Sequence, residues 1–472
     1  MRIERHDLTS TGAGTHRGAG SPTPSRRVPA PRAATVLPAP RGGMPRPGHS
    51  APAHRAARQG AQPHRRPPHL AEAFDPRDNA IGVLRLALVA VVAVAHGVQI
   101  AAGRAPVIGS AGVGELAVDA LFVLSGFLAA RSYLRLGSLR RFAWHRFLRI
   151  VPGFWACLLL TALVVAPLVA LLSGRPLLPL LTGPDSAASY LGANALLSIQ
   201  QPGIAGLPAA GHEPGVLTGP LTTLAAGALC CALLAALGAL GLLRRRIRLV
   251  AGLTGGLWVL TALAAAGFPL LASGAALRLP LVFLLGALAW LLARHIPVSG
   301  VLAAACVAAL SAGTHLLPDY RALAAPALAY LLLWLAVRLP LRSSPSWDAS
   351  YGLYLYHWPV QQVLVLLGAT SLTLPGFLAF SLGVALLLAG ASWALVERPA
   401  LAGRGAAWVE FHLPGTARPQ PQPHIRRQEP AAAPARRARP PRRTGESART
   451  RLARARSGEY VGRHAAPQPP DA

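Results

Sequence analysis

The amino-acid sequence predicts an all-α fold: a polytopic transmembrane helix bundle of about ten spans, with disordered Pro/Arg-rich tails at both ends. Of the 472 residues, 53% are hydrophobic and only 13% are charged, whereas about a quarter of the residues in a soluble domain are charged. The apolar residues also fall in runs of about 20, the length of a helix that crosses a bilayer. Helices are expected because backbone polar groups in hydrocarbon must bond within their own segment.

Ten apolar runs are expected to span the membrane. They cover residues 80–101, 113–134, 150–173, 216–242, 249–268, 279–294, 298–316, 321–338, 350–369 and 373–396. If the N-terminus is cytoplasmic, the inner loops carry arginine clusters at 135–146 and 244–248, and the outer loops carry far fewer arginines. Because basic residues stay on the cytoplasmic side, we expect a multi-pass plasma-membrane protein with both termini in the cytoplasm.

Hydropathy divides the chain into a disordered basic tail (1–72), a membrane domain (73–405) and a second disordered basic tail (406–472). The two tails hold 25 of the 46 basic residues, all of them arginine, and show no hydrophobic period. Such segments bury too little apolar surface to offset their chain entropy. The net charge of +29 suits membrane lipids, since anionic headgroups attract basic tails. Nucleic acid is the less favoured partner, and no specific nucleic acid is expected.

Two further absences follow from the sequence. The first 70 residues contain no apolar core of the length that a signal peptide requires. The four cysteines lie inside apolar runs and show no CxxC spacing, which is typical of small buried residues. No metal site is expected.

The first span, "RLALVAVVAVAH", places Arg85 and His96 on one face. Eleven residues at about 100° each complete three turns plus about 20°, which separates the two side chains by about 16 Å along the helix. Taken singly, Arg85 is explained as an end residue that reaches the interface, and His96 as a hydrogen-bonded packing residue. One face that holds both favours a shared polar path, because charges inside a span usually face a bundle interior or an aqueous cavity.

The second span, "GELAVDALFVLSGFL", carries two acids on one face. Asp119 lies within the span, so it is expected to be functional or to partner an Arg or His. Glu115 lies near the outer boundary, where solvation alone explains it. Ser125 and Gly126 are interpreted as small residues that allow close helix packing.

Two other segments attract attention. In "RRFAWHRFLRIVP", Arg146 and Arg149 stand among aromatic residues, a pattern typical of an interfacial amphipathic stretch. The same arginines equally suit a basic cytoplasmic mouth for a phosphorylated cosubstrate, because guanidinium groups bind phosphate bidentately. In "SYGLYLYHWPV", an aromatic belt explains some of the tyrosines but not His357 before its Trp-Pro step.

These motifs, in this order, resemble the integral-membrane acyltransferases of acyltransferase family 3, the membrane-bound acyl-CoA-dependent O-acyltransferases. That family typically shows Arg, ten residues and His, then "VDLFFVLSGFL", "RxxRIxP", "SYxxYLxHxPV" and a closing "ExP". This chain has Arg85/His96, "AVDALFVLSGFL", "HRFLRIVP", "SYGLYLYHWPV" and "VERP". The resemblance covers roughly residues 75–402.

The resemblance implies transfer of an acyl group, expected to be acetyl, from acyl-CoA to a hydroxyl of a glycan, lipid or related acceptor. By position, His96 would be the general base or proton relay, and Asp119 would orient His96 or Arg85. His357 would be a second catalytic-site residue of unassigned role. The donor phosphates would be received by three arginines, Arg85, Arg146 and Arg149. Acyl-CoA would act as a cosubstrate, and no tightly bound cofactor is implied.

The chain departs from the family pattern in the middle. Where the family reads "NGSLWTLPYEF", this sequence reads "TGPLTTLAAGA", so that Thr222 replaces the Trp and Gly227 replaces the Glu. Glu115, Glu213 and Asp119 are the acids considered as substitutes. The alternative function is therefore a catalytically impaired relative that acts as a membrane scaffold or transporter.

Overall fold

The computed structural model describes residues 67–209, 211–269, 274–341 and 348–403. Within them the chain is almost entirely helical, apart from a two-stranded antiparallel hairpin, β1 (Val107–Ile108) and β2 (Ala111–Gly112). The helices are α1 (Leu70–Ala73), α2 (Ile81–Ala102), α3 (Val113–Leu136), α4 (Leu139–Leu172), α5 (Leu178–Thr182), α6 (Ala187–Ala193), α7 (Gly219–Ala239), α8 (Leu242–Arg245), α9 (Ile247–Ala265), α10 (Gly274–Leu291), α11 (Gly300–Leu316), α12 (Arg321–Arg338), α13 (Ser350–Leu366) and α14 (Leu374–Gly403).

Each of the ten predicted spans corresponds to one helix, which confirms the all-α membrane fold. Within the part of the chain that the structure describes, seven helices are long and apolar enough to cross a bilayer: α2, α3, α4, α7, α9, α12 and α14. The helices of the other three spans, α10, α11 and α13, have 17 or 18 residues each. Helix α13 is buried along most of its length, so it carries polar side chains that face protein rather than lipid.

The basic stretch before the third span is part of a helix. Gly137 ends α3 with a left-handed backbone (φ 62°), a conformation that glycine adopts without strain. Ser138 then begins α4, because its hydroxyl accepts the Arg141 amide at 3.5 Å. The arginines of "RRFAWHRFLRIVP" therefore occupy the first turns of α4.

Helices α3 and α10 approach each other through two glycines. A Cβ added to Gly126 would lie 1.9 Å from the Phe283 carbonyl oxygen, and one added to Gly286 would lie 2.0 Å from that of Val123. Neither position accepts a side chain without separating the helices, so the packing interpretation of Gly126 is confirmed.

The long connection between α4 and α7 packs on the bundle. Tyr190 on α6 is fully buried, as are Ile204 and Leu217 in the following loop, in one cluster with Phe154 of α4 and Leu355 of α13. This segment therefore covers one end of α13.

Residues 1–66 of the first predicted tail and the whole of the second lie outside the described residues, and the disorder of both tails stays a prediction. Residues 67–72 are an exception to the first boundary, because they are ordered against the bundle. The Leu70 amide donates to the Ile296 carbonyl at 2.8 Å, and the Leu70 side chain is buried. The membrane unit thus begins before residue 73.

Candidate active site

Two histidines from distant parts of the chain meet inside the bundle. His96 lies in the C-terminal half of α2 and His357 lies two turns into α13. The His96 Nδ1 and His357 Nε2 atoms are 2.9 Å apart, and His357 is completely buried. The structure thus brings together two of the three residues predicted to be catalytic.

The hydrogen-bond chain determines the tautomers of both rings. His357 Nδ1 lies 3.0 Å from the Leu353 carbonyl oxygen, which only accepts, so this nitrogen carries the hydrogen. With neutral rings, His357 Nε2 then accepts from His96 Nδ1–H. The remaining nitrogen, His96 Nε2, then carries a lone pair that no described residue engages, as a general base requires.

Trp358 packs against the histidine pair. Its ring meets His96 edge-on with centroids 5.2 Å apart, and its indole Nε1 donates to the Val216 carbonyl at 3.0 Å. One turn beyond His96, Gln99 donates to the Glu213 carboxylate at 2.6 Å. The loop before α7 is therefore anchored to the two helices that carry the histidines.

At the other end of the helix face, Arg85 and Arg149 share one carboxylate. Asp348 Oδ2 lies 3.2 Å from Arg85 Nη1 and 2.5 Å from Arg149 Nη2. Its Oδ1 accepts the Ser350 hydroxyl at 2.6 Å. Each guanidinium has five N–H groups. Among the described residues each of the two donates one hydrogen bond, to Asp348, which leaves further donors for a ligand.

Asp348 lies just before α13, and its pKa is strongly perturbed. Burial alone raises the pKa of this carboxyl, but the charges of Arg85 and Arg149 outweigh burial and hold it well below its usual range. Asp348 is therefore ionised, and the sequence interpretation did not include it. Its only signal in the sequence is an isolated acid two residues before the "SY" of the α13 motif.

A cavity of about 200 Å³ opens beside this ion-pair group. All three arginines predicted to bind the donor line it, together with apolar side chains of α2, α3 and α10. The guanidinium of Arg146 also lies 5.2 Å from the Phe142 ring centroid, within cation–π distance. Tyr354 also lines the cavity, and its ring centroid is 6.0 Å from that of His357.

Gly227 lines the same cavity. A Cβ at this position would meet only Phe122, at 3.7 Å, so a side chain there would enter the cavity. None of the three acids considered as substitutes lies among the described residues of its wall. Glu213 contacts Gln99, and Glu115 and Asp119 belong to a separate cluster.

Asp119 is completely buried, and its carboxylate pairs with α10 and α12. Its Oδ1 accepts from Arg278 Nε at 2.6 Å, and its Oδ2 accepts from Arg321 Nε and the Tyr320 hydroxyl, both at 2.5 Å. These contacts correct the expectation that Asp119 orients His96 or Arg85. Asp119 instead links α3 to α10 and α12, because Arg278 of α10 and Arg321 of α12 lie beside its carboxylate.

Sequence comparison decides the family. A family model described as an acyltransferase domain matches residues 78–396, which include both histidines and all three cavity arginines. The chain belongs to acyltransferase family 3. This membrane acyltransferase has no significant match among curated proteins or solved structures. The family membership therefore agrees with the resemblance read from the motifs.

Proposed function

We propose that this family 3 acyltransferase moves an acyl group, preferentially acetyl, from cytoplasmic acyl-CoA to a hydroxyl of a cell-envelope glycan, lipid-linked sugar or related acceptor. The observation that carries the proposal is the hydrogen bond between His96 and His357, because His96 lies on the same helix as Arg85, which lines the cavity. The proposal places the protein in the plasma membrane with both termini in the cytoplasm, because arginines cluster at one set of helix ends.

The proton path uses the free nitrogen of His96. As the acceptor oxygen attacks the thioester carbonyl carbon, His96 Nε2 takes the hydroxyl proton. The C–S bond then breaks, and the CoA thiolate recovers that proton from the imidazolium. His357 supports both stages because its Nε2 accepts from His96 Nδ1–H, which orients the ring and stabilises its charged form.

The donor end uses electrostatics rather than proton transfer. Arg85, Arg146 and Arg149 line one cavity around a single carboxylate, Asp348, so the group keeps an excess of positive charge. Phosphate groups suit such a site because guanidinium N–H donors match phosphate oxygens. A separation of about 16 Å along α2 would then let an extended thioester arm reach from these arginines to His96.

A second candidate is a non-catalytic scaffold or transporter. The observation that favours it is Gly227, which lines the cavity where the resemblance expects a glutamate. In that case the arginine cavity would bind an anionic ligand without transferring a group from it.

Labelled acetyl-CoA separates the two candidates. Membranes that contain the full chain are incubated with it, and the label in envelope glycans and lipids is measured. Transfer that falls by about 10²–10⁴-fold in His96→Ala supports the proposal. Transfer by the unmutated protein eliminates the scaffold reading, whereas equal label from His96→Ala removes the role of His96.

The matched control is His295→Ala. His295 is an exposed histidine in the connection between α10 and α11, and it does not line the arginine cavity. This variant should transfer label at the rate of the unmutated protein. A comparable loss in both variants would show that His96 is not specifically required.

A further inference from the structure

A second cavity, here called the end cavity, lies where α1, α3, α8, α9 and α10 meet. Its volume is about 630 Å³. The apolar part of its wall includes Leu134, Leu243, Ile247 and Leu291. Among the described residues, none that lines the end cavity also lines the arginine cavity beside His96. The end cavity is therefore a separate space.

Two arginines line the end cavity, Arg244 on α8 and Arg294 just after α10. Arg244 Nη2 donates to the Leu134 carbonyl oxygen at 3.0 Å, which holds this guanidinium at the wall and leaves it further N–H groups. Among the described residues, no carboxylate pairs with either arginine, and no acid lines the cavity. Both residues are exposed, so their donors are accessible to a ligand.

The two acids next to wall residues in the sequence, Glu72 and Asp75, are engaged elsewhere. Their carboxylates accept backbone amides of their own turns, at 3.3 Å and 2.8 Å. A third cation lies behind the wall, because Arg131 Cζ is 5.8 Å from the ring centroid of Phe74, a wall residue. The end cavity therefore favours an anion, and guanidinium groups match phosphate oxygens best.

The end cavity lies at the level of helix ends. Helix α3 ends at Leu136, α9 begins at Ile247 and α10 ends at Leu291, and each contributes a wall residue within one turn of that end. Trp290 also lines the cavity, and tryptophan is enriched where helices leave the hydrocarbon. The anions of a membrane at this depth are the headgroups of acidic phospholipids.

The chain's own tails do not suit the end cavity. Together they hold 25 arginines, and like charges repel. An anionic phospholipid matches both parts of the wall, because its phosphate suits the arginines and its acyl carbons suit the apolar side chains.

We propose that the end cavity is a binding site for an anionic phospholipid. The headgroup phosphate binds Arg244 and Arg294, and the first acyl carbons contact Leu243, Ile247 and Leu291. The bound lipid links the connection between α8 and α9 to the ends of α3 and α10. This inference does not depend on acyl transfer.

The test titrates the full chain in detergent with phosphatidylglycerol, and separately with phosphatidylcholine, and measures lipid binding by native mass spectrometry. The affinity for the first phosphatidylglycerol should be higher by at least about fivefold, the effect of one net charge at a basic surface. Equal affinities for the two lipids would overturn the proposal.

Removing the two charges tests the position of the site. Arg244→Gln with Arg294→Gln should weaken phosphatidylglycerol binding about thirtyfold, the loss of two basic contacts. The matched control is Arg245→Gln with Arg248→Gln, which removes two exposed arginines that do not line the cavity. An equal loss in both pairs would show general attraction by a basic surface and would overturn the proposal, as would unchanged binding in the first pair.

Filling the end cavity tests the apolar part of the site without changing its charge. Ala71 lines the cavity, so Ala71→Trp should lower the affinity by at least about tenfold. Ala304→Trp is the control, because Ala304 is an exposed residue of α11 outside the cavity. Full binding in Ala71→Trp would overturn the proposal. Displacement of bound phosphatidylglycerol by CoA would also overturn it, since the two arginines would then bind the acyl donor.

Discussion

His96 Nδ1 and His357 Nε2 lie 2.9 Å apart, although 261 residues separate them in the chain. The bond has a direction, because the Leu353 carbonyl forces the hydrogen of His357 onto Nδ1. His357 is therefore an acceptor for His96, and the pair presents one free basic nitrogen.

Replacing His357 tests the direction of this hydrogen bond. In His357→Ala, His96 loses the acceptor that holds its tautomer, so transfer from labelled acetyl-CoA should fall by about 10²-fold. His357→Gln should recover part of the rate, because an amide oxygen also accepts from Nδ1–H. Equal rates in the two variants would show that hydrogen bonding by residue 357 does not matter.

Asp348 should stabilise the protein in a pH-dependent way. Asp348→Asn removes the shared charge between Arg85 and Arg149, with an expected loss of about 1.5–3 kcal/mol near neutral pH. Because the folded-state pKa of Asp348 is lowered, its contribution is present above the unfolded value near 4 and is lost as the pH falls below it. Thermal unfolding in detergent should therefore show a difference between the two proteins that shrinks on acidification. A constant difference from pH 7 to pH 3 would contradict this.

Gly227→Glu should weaken donor binding rather than restore an activity. The new carboxylate would enter the arginine cavity and compete with the donor phosphates, lowering the affinity for CoA by at least about tenfold. Gly227→Gln has nearly the same size without the charge, and it separates repulsion from steric exclusion. Tighter CoA binding and faster transfer in Gly227→Glu would instead show that the chain lacks a required acid.

Asp119 should matter for stability more than for chemistry. Asp119→Ala leaves Arg278 and Arg321 without their buried partner, at a cost of about 3–5 kcal/mol. Asp319→Asn is the control, because this acid is partly exposed and, among the described residues, its ion pair is with Arg321 alone. Thermal unfolding should shift strongly in the first variant and slightly in the second. Unchanged unfolding with loss of transfer would return Asp119 to the catalytic set.

Gly126→Ala should separate α3 from α10. Its Cβ would collide with the Phe283 carbonyl, and such overpacking costs about 1–3 kcal/mol. Gly255→Ala on α9 meets no atom within 4 Å, so better helix propensity should make it neutral or slightly stabilising. Equal unfolding temperatures for the two variants would contradict the close approach.

Much of the bundle could be predicted from the sequence, because crossing a bilayer is a local requirement. Length and hydropathy locate all ten helices, and helical periodicity alone places Arg85 and His96 on one face. Gly126 was also predictable, since close helix packing demands a small residue. Helix α13 was located by its apolar run, but it is shorter and less apolar than the seven long spanning helices of the described residues. Its neighbours are protein on most sides, so it tolerates polar residues.

The pairing of polar groups was decided only by the tertiary structure. Asp119 was recognised as a buried acid, but nothing local to it indicates that Arg278 and Arg321 lie nearer than Arg85 or His96. Asp348 was missed for the same reason, since its partners lie 263 and 199 residues away. Hydrophobic periodicity indicates which face of each helix is turned away from lipid. Which buried charge meets which depends on how the helices pack, and that is a property of the whole bundle.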